Sequence, residues 1–312
     1  MKSIVGSSQK TESSAAVAEA CAQIKNPAGI IFLTDYDRLE QIGTLLSQNF
    51  PDTEIIGTAG ISYHNTVIKE KGLLIVTAIL GEASVSAGSI SHLSTSPLSD
   101  LYRLEQSVNK VSPGRNNTVC IEFCTNDEEV LVSTMNIVLQ KKNVSLVGGS
   151  VFGTPSGKTS FVYCNGHMYG DACAYMVIRN LSGKVHVLRE NIYGPAGGPA
   201  HIATKVNLKK KELIELDNGP ASEVYSKETG VPVNKIVDNV LKAPLGRVVE
   251  TEVFISSMNG IGSNGSITNY KRINENDTIY ILKLLDYKKI NEETKNKMRQ
   301  LCSRPSLIFC VN

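Results

Sequence analysis

The stretch NTVCIEFCTNDEEVLVSTMNIVLQKKNVSLVGGS, Asn117 to Ser150, decides the fold. TVCIEFCTN is an apolar run of strand length, Asp127 to Gln140 carries helical periodicity, and VSLVGGS is a second apolar strand ending in glycines. Upstream the order recurs: GIIFLTD from Gly29 to Asp35, a helix over Asp37 to Asn49, and TEIIGTAG ending at Gly60. Phe32 matches Phe123, Thr34 matches Thr125 and Gly57 matches Gly148, each at an offset of 91 (123 − 32, 125 − 34, 148 − 57). Each copy is preceded by a helix, Ser13 to Lys25 or Pro97 to Val111. Each is followed by two strands, GLLIVTAILG and ASVSAGSI in the first, KTSFVYCN and MYGDACAYMVI in the second. The expectation is a mixed α+β chain whose residues 1–190 form an internally duplicated αβαβββ domain, with repeats at about 13–92 and 96–180.

Outside this domain the pattern changes. Residues 191–203, containing the Gly/Pro-rich IYGPAGGPA, read as a linker, and 204–312 as a smaller α+β domain. There KELIELDNG is a strand and turn, PASEVYSKET a helix capped by Gly230 and stopped by Pro232, and Asn234 to Leu241 a second helix. EVFISSMNGIGSNGSITNYKR and DTIYILKLLD follow as strands with turns at Asn259-Gly260 and Asn264-Gly265, then a helix from Asn291 to about Cys302. SRPSLIFCVN reads as an apolar strand cut off at its end, which predicts that the native chain continues past Asn312.

Thirty-two basic against 30 acidic residues, with no basic run beyond Lys209 to Lys211, exclude nucleic-acid binding by a charged face. No segment has the apolar length of a signal peptide or a membrane span, so the chain is expected in the cytoplasm. Seven cysteines at no disulfide-framework spacing read as reduced, core-packed thiols.

Gly260 to Gly265 (GIGSNG) satisfies a dinucleotide-binding pattern, but the β-rich segment after it denies the helix N-terminus that would hold a pyrophosphate, so a hairpin is expected. GGSVF at Gly148 to Phe152 lacks the last glycine of a nucleophile elbow, and Ser150 has no histidine at a recognisable spacing. A hydrolase or transferase is therefore a remote alternative, and the chain is expected not to be an enzyme. The two glycine corners offer a ligand site: Gly57 and Thr58 beside Thr34 and Asp35, and Gly148, Gly149 and Ser150 beside Thr125 and Asn126. Small residues at strand ends let backbone amides and hydroxyls approach a small molecule, or else simply allow close packing. His201, at the end of the Gly/Pro-rich loop, is a further candidate.

FPDTEIIGTAG, VSLVGGSVFGTPSGKTSFVYCNGHMYGDACAYMVI and KKKELIELDNGPASEVYSKETGV together resemble the FIST family, with an N region reaching about Val187 and a C region beyond it. The resemblance implies a sensory module that binds an amino acid or related metabolite and relays the signal to a linked output domain, such as a chemotaxis methyl-accepting domain. It also carries an alternative, a haem-binding nitric oxide sensor with His201, His64 or His167 as axial ligand. One departure stands out. Relatives have a Gly-Cys-Ser-Thr-x-Gly-Glu type of first corner, whereas Gly57-Thr58-Ala59-Gly60 runs on to Ile61 and Ser62, without the cysteine or the acid.

Overall fold

The computed structural model describes residues 1–60, 62–64, 67–69, 72–250 and 252–310, with backbone only for 62–64 and 67–69. The chain divides into two compact units, Met1–Val187 with Arg304–Asn312, and Leu188–Ser303.

In the first unit, β1 (Lys2–Ser8), α1 (Ser13–Ala20), β2 (Gly29–Thr34), α2 (Leu39–Asn49) and β3 (Glu54–Ala59) come first. The small ladder of β4 (Ser62–His64) with β5 (Val67–Lys69) follows, then β6 (Leu74–Leu80). The second set is β7 (Ala83–Ser91), α3 (Leu101–Val111), β8 (Thr118–Cys124), α4 (Glu128–Leu139), β9 (Ser145–Ser150), the hairpin β10 (Val162–Cys164) with β11 (His167–Tyr169), and β12 (Ala172–Asn180). One sheet has the order β1-β6-β2-β3-β10-β11 and the other β7-β12-β8-β9. The first four positions of each correspond strand for strand, and both sheets hold one parallel pair, β2 with β3 and β8 with β9.

Strand position therefore puts the repeat boundary between Leu80 and Ala83, one strand earlier than the sequence pattern suggests. Each repeat begins with an edge strand and inserts a short hairpin before its last strand. β1 escapes sequence reading because KSIVGSS has little alternation; seven ladder partners on β6 hold it in place.

The sheets stack face to face with helices outside, giving four layers. Ile31, Ile56 and Ile79 of one sheet meet Ile121, Phe123, Ala174 and Met176 of the other. α1 and α2 cover the first sheet through Ala16, Val17, Ile42 and Leu46, while α3 and α4 cover the second through Leu104, Val108, Leu131 and Met135. The central strands are buried on both faces, which is why they read as continuous apolar runs instead of alternating ones.

The second unit holds β13 (Tyr193–Pro195), β14 (His201–Asn207), β15 (Glu212–Leu216), β16 (Gly219–Pro220), α5 (Ala221–Thr229), β17 (Leu245–Val249), β18 (Glu252–Ser256), β19 (Met258–Ile261), β20 (Ile267–Asn269), β21 (Thr278–Leu284) and α6 (Tyr287–Leu301). Its main sheet order is β18-β17-β21-β14-β15-β20-β19, over a core of Leu213, Tyr225, Ile236, Leu245 and Ile279. Gly265, at φ +79°, turns β19 into β20, so GIGSNG is a hairpin. Asn259-Gly260 is no turn but lies within β19 at a bulge. The helix expected over Asn234 to Leu241 is instead two 3-10 turns, Val233–Lys235 and Val237–Asn239. Eight residues after a proline are too few to sustain an α-helix without strong packing. The expected closing strand is absent too: residues 303–310 run without ladder partners among the described residues.

Candidate functional site

The two glycine corners show how the repeats differ. Gly57 lies opposite Phe32 in the parallel ladder, and a Cβ there would sit 2.2 Å from the Phe32 ring. Gly148 lies opposite Glu122, and its Cβ would sit 2.2 Å from the Glu122 carbonyl oxygen and 2.6 Å from its side chain. Both glycines thus clear space for the residue across the ladder, and packing accounts for them. The offset of 91 holds for this pair, but on the neighbouring strand it is 90 (122 − 32), so Glu122 and not Phe123 is the counterpart of Phe32. A one-residue slip reverses a strand's faces. Phe32 accordingly packs under the helices, while Phe123 points between the sheets.

Glu122 is the residue that sequence reading passes over. It is 1% exposed in a layer of apolar side chains, and burial, reinforced by Glu128 nearby, raises its pKa to about 8. Its contacts are thiols: Cys173 donates weakly to Oε2 at 3.8 Å, and Cys124 adds a second such bond. The available signal was an acid in the middle of the apolar TVCIEFC.

The remaining predicted residues are largely engaged by the protein. Asp35 accepts from the Gly72 amide at 2.7 Å and pairs with Arg38 at 2.8 Å. Thr125 accepts from the Ala172 amide at 2.9 Å and donates to Asn126, whose amide reaches Asp171 at 3.2 Å. Ser150 donates to Glu128 at 2.9 Å and lies 3.7 Å from the Cys124 sulfur. A carboxylate is a feeble base toward a serine hydroxyl, so this pair does not make an activated nucleophile. Thr34 and Thr58 are buried, and Thr34 Oγ1 has no hydrogen-bond partner among the described residues. The corners do meet: Gly60 bridges Phe152 in parallel, just beyond β3 and β9. Gly149, opposite Phe123 in the same ladder, is half-buried.

His201 belongs to the second unit. Its Nδ1 bonds the Asp217 carboxylate at 2.7 Å and its Nε2 the Glu228 carboxylate, with the side chain 7% exposed. Burial would lower its pKa, but the two carboxylates outweigh that and raise it. With both ring nitrogens taken, His201 does not fit the role of haem ligand. His167 is exposed beside Tyr169 on a polar rim, and the His64 side chain lies outside the described residues. Among the described residues no group of three or more His, Cys, Asp or Glu is placed to hold a metal ion. All seven cysteines are free thiols; four are buried as expected, but Cys302 and Cys310 are exposed.

A cleft of about 370 Å³ opens in the first unit, away from the corners. It lies where β7, the edge strand of one sheet, meets the β10–β11 hairpin of the other, with α3 alongside. Its floor is hydroxylic: Ser86, Ser89, Ser107 and Tyr175 are all under a tenth exposed. Gly88 leaves room for the Tyr175 hydroxyl, which lies 3.2 Å from Ser107 Oγ. The rim carries Arg103, Gln106 and Lys110 from α3 and Asn165 and His167 from the hairpin.

The family model for the FIST N domain matches residues 27–219, more than half of the chain. No curated protein matches significantly. Among solved structures, the chain shares 7% identity at a TM-score of 0.31 with a crystal structure of cyanuric acid hydrolase from A. caulinodans, over 58% of this chain and 72% of that one. That likeness is too slight to carry over fold or chemistry. No helix among the described residues is long and apolar enough to cross a membrane.

Proposed function

Since this chain belongs to the FIST N domain family of signalling sensory domains, we propose that it is a non-enzymatic sensor that binds a small polar metabolite, an amino acid or relative, in the first unit. We place the site in the cleft between β7, α3 and the β10–β11 hairpin. The observation that carries this reading is the cleft's lining, a hydroxylic floor beneath a rim of charged and amide side chains. Ligand pockets of a few hundred Å³ with convergent polar groups are the usual form of small-molecule sites. The corner residues, from Thr34 to Ser150, lie at the ends of the parallel strands of the same two sheets.

Binding signals by favouring one of two arrangements of the elements around the cleft, in proportion to the ligand's differential affinity for them. The receiver is a linked or associated output domain, and the setting is the cytoplasm. A thermal-shift screen of amino acids and small metabolites tests the reading: a ligand at a hundred times its Kd stabilises the folded protein by about 2.7 kcal/mol, a readily measured rise in Tm. A screen in which no compound moves the melting point defeats it.

A further inference from the structure

The cleft's charges are one-sided. Of the residues that line it, the permanently charged ones are Arg103 and Lys110, and none is a carboxylate. Each cation is itself exposed and pairs with a carboxylate at the cleft's margin. Arg103 is half exposed and meets Asp100 at 3.5 Å, and Lys110, 64% exposed at its side chain, reaches Glu54 at 2.8 Å. Beneath them, Ser86, paired with Val177, lies on the α3 side of β7, while Ser89, paired with Ala174, lies on the side facing the other sheet; both line the cleft. Among the described residues β7 pairs only with β12, so alternate backbone amides along Ser86 to Ser89 also face away from the sheet. Cations above, with the Ser86 hydroxyl and the outward-facing strand amides below, suit an acceptor-rich anionic group.

Glu54 connects this site to its surroundings. At the start of β3 it holds Lys110 with one carboxylate oxygen, and with the other accepts from the Asn165 amide at 2.7 Å. Asn165 in turn accepts from the Ile55 amide at 2.7 Å, fixing the hairpin tip to β3. Asn165 also lines a second hollow of about 340 Å³, formed with Ser47, Asp52 and Glu54.

We infer that the cleft takes a small oxyanion, the carboxylate or phosphate end of a metabolite, between Arg103 and Lys110, and that Lys110 exchanges Glu54 for it on binding. The exchange loosens the Lys110–Glu54–Asn165 latch, which ties α3, β3 and the β10–β11 hairpin together, and so turns ligand charge into a change of structure. This deepens the sensory reading by naming the ligand class at the same cleft.

Calorimetric titration of the full chain tests it, with L-glutamate and succinate as carboxylate probes, inorganic phosphate and glycerol 3-phosphate as phosphate probes, and succinamide and glycerol as neutral controls. One anionic series binds at one site per chain, more weakly as salt rises, and Arg103→Gln and Lys110→Gln each weaken it about tenfold or more. Glu54→Gln keeps the hydrogen-bonding shape but releases Lys110, so it tightens anion binding several-fold; a merely structural Glu54 would leave it unchanged or weaker, and that result overturns the latch. Anion binding that survives both cation substitutions overturns the cleft assignment. A neutral compound that binds in place of every anion overturns the oxyanion and leaves the sensory reading standing. Silence from all probes in titration and in the wider thermal screen overturns both.

Discussion

Glu122 stands where the other repeat has Phe32, across the ladder from a glycine and beneath two helices. A carboxyl in that place stays protonated at neutral pH, since its pKa is raised to about 8 from an ordinary 4.5. The unfolded chain loses this proton from about pH 4.5 upward while the folded chain keeps it, so the group's contribution to stability is complete below pH 4.5 and is lost progressively up to about pH 8. Each pH unit in that window is worth about 1.4 kcal/mol at most, so the loss amounts to a few kcal/mol. Glu122→Gln removes the titration and keeps the shape. Urea unfolding across pH 5 to 8 should show a falling stability for the native protein and a flatter profile for the variant, with the variant the more stable at pH 8. Parallel profiles would mean that Glu122 is solvated or paired in a way the burial does not suggest.

At the scale of elements, the central strands and the helices of the first unit were legible because buried strands are apolar throughout and helices keep a 3.6-residue period. Which strands become neighbours was not. The pairing of β10 with β3, and of β7 with β12, joins segments over 70 residues apart, and nothing local encodes it. The corners show the same limit at finer grain: Gly57 and Gly148 were visible as equivalent, but whether they admit a ligand or a packed side chain depends on the residue across the ladder. The cleft was invisible because its floor comes from β7, α3 and β12 and its rim from α3 and a hairpin tip. Since packing accounts for the glycines, Gly148→Ala must move the Glu122 carbonyl, which is backbone, whereas Gly57→Ala meets a ring that can tilt. Both should destabilise, by roughly 1–3 kcal/mol for such overpacking, with Gly148→Ala the worse. Equal or negligible losses in chemical unfolding would return the corners to the role of open ligand turns.

On the scale of the whole molecule, the first unit is discontinuous in sequence: Met1–Val187 is completed by Arg304–Asn312, so residues 188–303 lie within its span. Both outer segments are tied into it. The terminal ammonium bonds Ser182 Oγ at 2.8 Å, Ser3 donates to the Ser306 carbonyl, and Phe309 packs at 6.4 Å on Phe123 at the margin of the inter-sheet core. An apolar segment read from sequence as a strand therefore earns its burial through one aromatic contact instead of a ladder. Ile308 beside it is 53% exposed and serves as an internal control. Phe309→Ala should lower the stability of the first unit by about 1–2 kcal/mol, less than the 3–5 kcal/mol of a fully buried Phe, and Ile308→Ala should cost under about 0.5 kcal/mol. The chain has no tryptophan but 11 tyrosines, so circular dichroism or tyrosine fluorescence in urea reads the loss. If the two substitutions act alike, the segment is not anchored by its aromatic ring, and the inter-sheet core closes without it.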